Sequence, residues 1–121
     1  MKAVRDAEEA RGFVVEDVSA KNQGWDLTST RLHAEGREER YFLEVKGRVR
    51  GATVVTVTKN EVITALNKRE QFRLAICLIE DGGAVDGPYY VARPFTQEPE
   101  FHTPSINVDL AKLLQVATRT P

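Results

Sequence analysis

One cysteine, two histidines, no long apolar run and no excess of either charge: this 121-residue chain lacks several kinds of functional machinery. A lone cysteine excludes an internal disulfide. Cys77 lies within Leu74-Ala75-Ile76-Cys77-Leu78-Ile79, where it reads as a buried apolar thiol rather than a nucleophile. One cysteine with His33 and His102 far apart cannot assemble a structural zinc site. A histidine-based triad has no support in the sequence. No glycine-rich phosphate loop is present, which argues against nucleotide hydrolysis. No apolar run approaches the roughly 18 residues that span a bilayer, and the N-terminus is charged from Lys2 onward, unlike a signal peptide. The expectation is a soluble, cytoplasmic protein with no membrane partner. Seventeen basic against eighteen acidic residues leave a net charge of -1, so the surface as a whole is not a nucleic-acid footprint, although a local basic stripe is compatible with it.

What is present fits one domain over residues 1–121 with a modest core, since 41% of the residues are hydrophobic. A short Ala/Glu-rich helix over 2–11 stops at Gly12. Strands are expected at Phe13–Val18, from Trp25 to about His33, from Arg40 to about Arg48, and in the β-branched run Thr53–Val57. Thr58 followed by Glu61 is a capping-box signature that opens a helix to about Arg69, with Val62, Ile63 and Leu66 as its apolar stripe. Phe72–Ile79 is almost wholly apolar, as in a central strand buried on both faces. Asp81-Gly82-Gly83 and Asp86-Gly87 mark a loop before a returning strand at Tyr89–Ala92. Pro94–Pro104 should be irregular, and Leu110, Leu113, Leu114 and Ala117 have helical spacing. The expected class is α/β: a mixed sheet flanked by helices, with a core of helix, three strands, helix and strand, and an added C-terminal strand and helix.

The most informative segment is Gly24-Trp25-Asp26-Leu27, followed after a polar stretch by Tyr41-Phe42-Leu43-Glu44-Val45-Lys46-Gly47. Residues i and i+2 of a strand share a face, so Glu44 and Lys46 point one way and Leu43 and Val45 the other. A three-residue hairpin loop at Ala34, Glu35 and Gly36 would set Asp26 directly across from Glu44. Like charges so placed destabilise a sheet, and a divalent metal resolves the conflict. Mg²⁺ is held by one or two carboxylates plus waters and substrate phosphate. Asp26 and Glu44 can supply the carboxylates, and the Val45 backbone carbonyl a third oxygen. Lys46 could position or deprotonate an attacking water and offset charge on a scissile phosphate. The competing reading is a solvated Glu–Lys pair on a hairpin face, worth under about 1 kcal/mol.

Arg48 and Arg50 continue the same alternation and could grip phosphates, or lie in a solvated loop. Asn60 and Glu61 read first as capping residues, while Lys59 and the backbone N–H groups of that helix start could face a phosphate. Trp25 reads as a core side chain before a base-stacking one.

Gly12-Phe13 to Asp17-Val18-Ser19, Asn22-x-Gly24-Trp25-Asp26-Leu27, Glu44-Val45-Lys46-Gly47-Arg48 and Thr58-x-Asn60-Glu61, in that order, resemble the domain named after the C-terminal region of the plant protein No Vein. More broadly the order resembles the PD-(D/E)XK, or restriction-endonuclease-like, nuclease superfamily. The resemblance covers roughly residues 5–80. Trp25 stands where the superfamily's proline would be. Members often carry a further metal-ligating acid on the first helix, and here only Glu8 and Glu9 are available. The resemblance implies Mg²⁺- or Mn²⁺-dependent hydrolysis of nucleic-acid phosphodiesters, with DNA the expected partner, in DNA processing or defence. Asp26, Glu44 and Lys46 would be catalytic, and Arg48, Arg50, Lys59 and Asn60 would bind nucleic acid. In bacteria such domains often follow helicase-like regions, so a helicase or translocase is an implied partner, and the chain could be the C-terminal fragment of a larger protein. Two alternatives stay open: an inactive nuclease fold that binds DNA or docks protein beside a helicase, and a structural domain with a fortuitous acid pair.

Overall fold

The structure, a computed structural model, describes residues 1–121. Helix α1 (Lys2–Ala10) leads into β1 (Val14–Asp17), a single 3₁₀ turn at Ser19–Lys21, and the hairpin of β2 (Leu27–Leu32) and β3 (Glu38–Val49). Then follow β4 (Val54–Thr58), α2 (Lys59–Asn67), β5 (Phe72–Ile79), β6 (Val85–Ala92), β7 (Ser105–Asp109) and α3 (Leu110–Gln115). Five strands form one sheet in the order β1-β2-β3-β5-β6, antiparallel except for the parallel β3–β5 pair. This is the expected mixed α/β class. The β3–β5 crossover runs through β4 and α2, as parallel neighbours require a long connection.

Strand β5 divides the core. Leu74, Ile76 and Leu78 point to one face, where they meet Val55 and Val57 of β4, Val62 and Ala65 of α2, and Leu110 and Leu113 of α3. Ala75 and Cys77 point to the other, where Val4 of α1, Leu27, Leu43 and Tyr90 close a second cluster. A strand covered on both sides needs no polar alternation, which is why its sequence is almost uniformly apolar. Cys77 is buried, and burial raises its thiol pKa, as suits a packing residue.

Three features depart from the sequence expectation. The β-branched run Val54–Thr58 forms a strand but leaves the main sheet; it pairs antiparallel with β7, a strand the sequence reading did not include. The alternation that buries Val55 and Val57 marks a strand without naming its partner. Strand β6 starts at Val85, four residues earlier than the expected Tyr89, because Asp86-Gly87 lies inside a strand with a register shift opposite Ile76/Leu78 rather than in a loop. Gly87, at φ +138°, is needed there: a Cβ would stand 2.8 Å from the Ile76 carbonyl oxygen. As expected, 94–104 contains no helix or strand.

No helix is long and apolar enough to cross a membrane.

Candidate active site

The β2–β3 hairpin sets the geometry. Leu27 pairs with Leu43 and Leu32 with Glu38, and the His33 amide donates to the Arg37 carbonyl at 2.8 Å, leaving Ala34, Glu35 and Gly36 as the loop. Gly36 adopts φ +83°, the left-handed conformation such a loop requires. The register therefore carries Asp26 opposite Glu44. Asp26 sits one residue before β2 and extends the ladder: its amide donates to the Leu43 carbonyl at 2.9 Å, and its Oδ2 accepts from the Val45 amide at 2.9 Å. Residues along a strand present N–H and C=O to the same edge, so the Val45 carbonyl also faces the Asp26 side.

A second element closes the site from above. Thr58 caps α2 by accepting from the Glu61 amide, and Glu61 Oε1 accepts in return from the Thr58 amide at 2.9 Å, completing the capping box. That same Oε1 accepts from Lys46 Nζ at 2.8 Å, while Lys46 Nζ lies 3.4 Å from Glu44 Oε2. Glu61 is thus both cap and site residue. The sequence reading assigned it only the first role; its i, i+3 relation to Thr58 accounts for it locally, and only the fold brings β3 beside it.

The loop before Asp26 is pressed onto α2. Gly24 has φ +98°, and a Cβ there would fall 2.1 Å from Thr64 Oγ1, so only glycine permits this approach. Thr64 Oγ1 donates to the Asn60 carbonyl at 2.8 Å, and Asn60 Nδ2 donates to the Asn22 carbonyl at 3.4 Å. Between this loop, the hairpin and the start of α2 lies a cleft of about 330 Å³, lined by Ser19, Asn22, Gly24, Trp25, Asp26, Glu44, Thr58, Asn60 and Glu61.

Electrostatics in the cleft are unbalanced. Glu44 and Glu61 flank the one ammonium, Lys46, and Asp26 adds a further negative charge beside Glu44. Glu44 is only 5% exposed. Burial, then the charges of Glu61 and Asp26, push its carboxyl up to about 9, against the opposing pull of Lys46. Burial alone would lower Lys46, but the hydrogen bond to Glu61 and the two nearby carboxylates hold it above its ordinary value. Lys46 is therefore a fixed cation. This arrangement suits positioning and charge compensation by Lys46.

The remaining candidates separate. Glu8 lies on the opposite face of the sheet, fully buried, where it accepts from Ser29 Oγ at 2.8 Å and Tyr90 Oη at 2.7 Å, with Arg11 at 3.4 Å. Glu9 is exposed on α1. Neither joins Asp26 and Glu44, because α1 packs against the Leu43/Val45 side of β3. Arg48 is exposed at the end of β3, on the Glu44/Lys46 face, as the alternation requires. Arg50 is committed elsewhere, donating to Glu80 at 2.5 Å and to Asp86 at 2.6 Å. Lys59 donates to the Phe101 carbonyl at 3.0 Å, and Asn60 lines the cleft. Trp25 packs on Phe42 with ring centroids 4.7 Å apart, and its Nε1 donates to Thr28. His33 stands 3.0 Å from Glu39 across the hairpin, and Tyr41 donates to the same carboxylate at 2.6 Å.

The donor set suits a hard divalent cation held by few protein ligands. No group of three or more His, Cys, Asp or Glu side chains stands in a metal-holding arrangement. Two carboxylates and a carbonyl are nevertheless what Mg²⁺ commonly accepts from protein.

No curated protein matches the chain. Residues 1–91, three quarters of its length, match the family described as Protein NO VEIN, C-terminal, and the chain belongs to that family.

Proposed function

We propose that the domain is a divalent-metal-dependent nuclease of PD-(D/E)XK type, hydrolysing a phosphodiester of nucleic acid, DNA first. One observation carries the reading: Glu44 opposite Asp26, with Lys46 two residues on, in a position where burial first, and then the charges of Glu61 and Asp26, lift the Glu44 carboxyl to about 9. Such a pair is costly in a purely structural sheet. Asp26, Glu44 and the Val45 carbonyl would hold Mg²⁺ or Mn²⁺, which when bound supplies an acidified water and charge neutralisation at the phosphate.

The chain's own residues account for the rest. Lys46, kept protonated by Glu61 and Glu44, offsets negative charge gathering on the phosphoryl oxygens as the water oxygen bonds to phosphorus and the ester oxygen leaves. Glu61 fixes the direction of that ammonium. Asp26, anchored to the Val45 amide, cannot swing away from the strand end. Arg48 is the exposed cation best placed to meet the phosphate chain beyond the cleft.

A second reading, a nuclease fold that binds nucleic acid or a helicase partner without cleaving, is favoured by the position of Glu8, which takes the expected first-helix acid out of the site. Cleavage decides between them. With Mn²⁺ or Mg²⁺ and a panel of DNA and RNA, the parent should cleave at least one substrate. Lys46→Ala should abolish cleavage while leaving binding largely intact. Salt-dependent binding with no cleavage under either metal would overturn the enzymatic reading in favour of the second.

A further inference from the structure

The β6–β7 connection carries an aromatic side chain with no packing role. Phe101 is 83% exposed, more than any other large hydrophobic residue of the chain. Its position is nonetheless held. The Lys59 ammonium lies 5.1 Å from the ring centroid and donates to the Phe101 carbonyl at 3.0 Å, and the Lys59 amide donates to the Pro104 carbonyl at 2.9 Å. His102 packs edge-on at 4.9 Å, and the Thr103 amide closes a turn onto the Glu100 carbonyl at 2.9 Å. The ring is thus fixed to the residue that lies between Thr58 and Asn60, both of which line the cleft.

We propose that Phe101, backed by Lys59, is a stacking platform for an unpaired nucleobase whose phosphate lies at the cleft, so that the substrate class is single-stranded or flapped nucleic acid. The proposal rests on the reading of the cleft as a phosphodiester site. Scattered single apolar residues on a surface need no explanation in themselves. Here the ring is coupled to a cation, tethered through two hydrogen bonds to the start of α2, and offers most of its area to solvent. Base stacking on an exposed aromatic ring is sequence-tolerant, because every base has a π face, and an adjacent cation adds attraction for the linking phosphate. The bases of a duplex are already stacked on one another and have no free face to offer. An exposed ring therefore selects for an unpaired nucleotide.

The test is binding, read by anisotropy of a labelled oligothymidylate of about 12 nucleotides and of a blunt hairpin duplex, with Ca²⁺ replacing Mg²⁺ so that turnover does not interfere. Phe101→Ala should weaken binding of the single strand by about 5- to 150-fold and leave duplex binding unchanged. Phe101→Trp should keep the affinity, and Phe101→Leu, which retains apolar area without a π face, should fail like Phe101→Ala. A side chain this exposed can be exchanged without unfolding the protein. Unchanged single-strand binding by Phe101→Ala, or equal losses for strand and duplex, overturns the proposal while leaving cleavage by the cleft intact. Absence of any binding by the parent also overturns it; the cleft is then judged separately, by whether Mn²⁺ raises the melting temperature of the parent and not of Asp26→Asn.

Discussion

The charge crowding at Glu44 has a consequence that can be measured before any substrate is known. The Glu44 carboxyl moves from an ordinary 4.5 to about 9 in the folded, metal-free protein. Between those two values the folded state retains a proton that the unfolded state has released, so stability falls as pH rises, by at most about 1.4 kcal/mol per pH unit. The stabilisation is fully present below pH 4.5 and exhausted above about pH 9. Glu44→Gln replaces the protonated carboxyl with a side chain of the same shape that does not titrate. The gap between variant and parent should therefore widen with pH, reaching up to about 3 kcal/mol between pH 5 and pH 7. In a domain of this size that is roughly 10 °C in melting temperature.

Urea titrations in EDTA at half-unit steps from pH 5 to 8 measure the effect, since the difference between the two proteins removes titrations common to both. Repeating the series in millimolar Mn²⁺ should reverse the order. A cation must displace the proton from Glu44, so its apparent affinity rises with pH, and it stabilises only the parent. A constant loss of stability in Glu44→Gln at every pH, unaffected by Mn²⁺, would refute the reasoning. It would show that the carboxylate serves as a structural hydrogen-bond acceptor.

Two further outcomes follow from packing and pairing. Gly24→Ala should destabilise by about 2 kcal/mol or more in chemical denaturation, because the new Cβ would meet Thr64 Oγ1 at 2.1 Å in a backbone at φ +98°; an unchanged midpoint would mean that the 22–26 loop does not rest on α2. Arg48→Ala should weaken nucleic-acid binding and lower the slope of log affinity against log salt by about 1, whereas Arg50→Ala, whose cation is already paired with Glu80 and Asp86, should leave that slope unchanged. Equal slopes for the two variants would argue that Arg48 does not meet a phosphate.

The hairpin was legible because parity is local information. Positions 26 and 44 have an even sum, a loop of odd length follows, and Gly36 stands where a left-handed residue is needed. Burial of β5 was legible for a similar reason, since a strand without polar alternation can only lie between two layers. What escaped depends on packing between distant elements. Thr58 explains Glu61 locally, so nothing in the sequence signals that Lys46 shares the same oxygen. Glu8 has the right chemistry for a metal site and the wrong face, a fact set by how α1 lies on the sheet. Arg50 follows the alternation that places Arg48, yet Glu80 and Asp86, 30 or more residues away, claim it. Strand β7 lies just past a proline-rich stretch, and its alternation of Ile106 and Val108 with polar residues spans only five positions, so the signal is short even though both side chains pack on the core.

The same contrasts bear on why the acid cluster survives in a marginally stable fold. Its members are fixed by features that do not depend on their charge: Asp26 by the hairpin register and the Val45 amide, Glu61 by the helix cap, and the preceding loop by Gly24 against Thr64. Each would keep its place if the neighbouring carboxylate were neutral. The cluster therefore cannot relax by moving a side chain into solvent, and burial, with the repulsion added to it, raises the pKa of Glu44, the most buried acid of the cleft. A scaffold that only needed stability would have placed an apolar residue at position 44, where Phe42 on the same strand and Leu74 opposite on β5 are already buried. Under the proposed function, strain of this kind, held rather than relieved, keeps the site ready for a divalent cation.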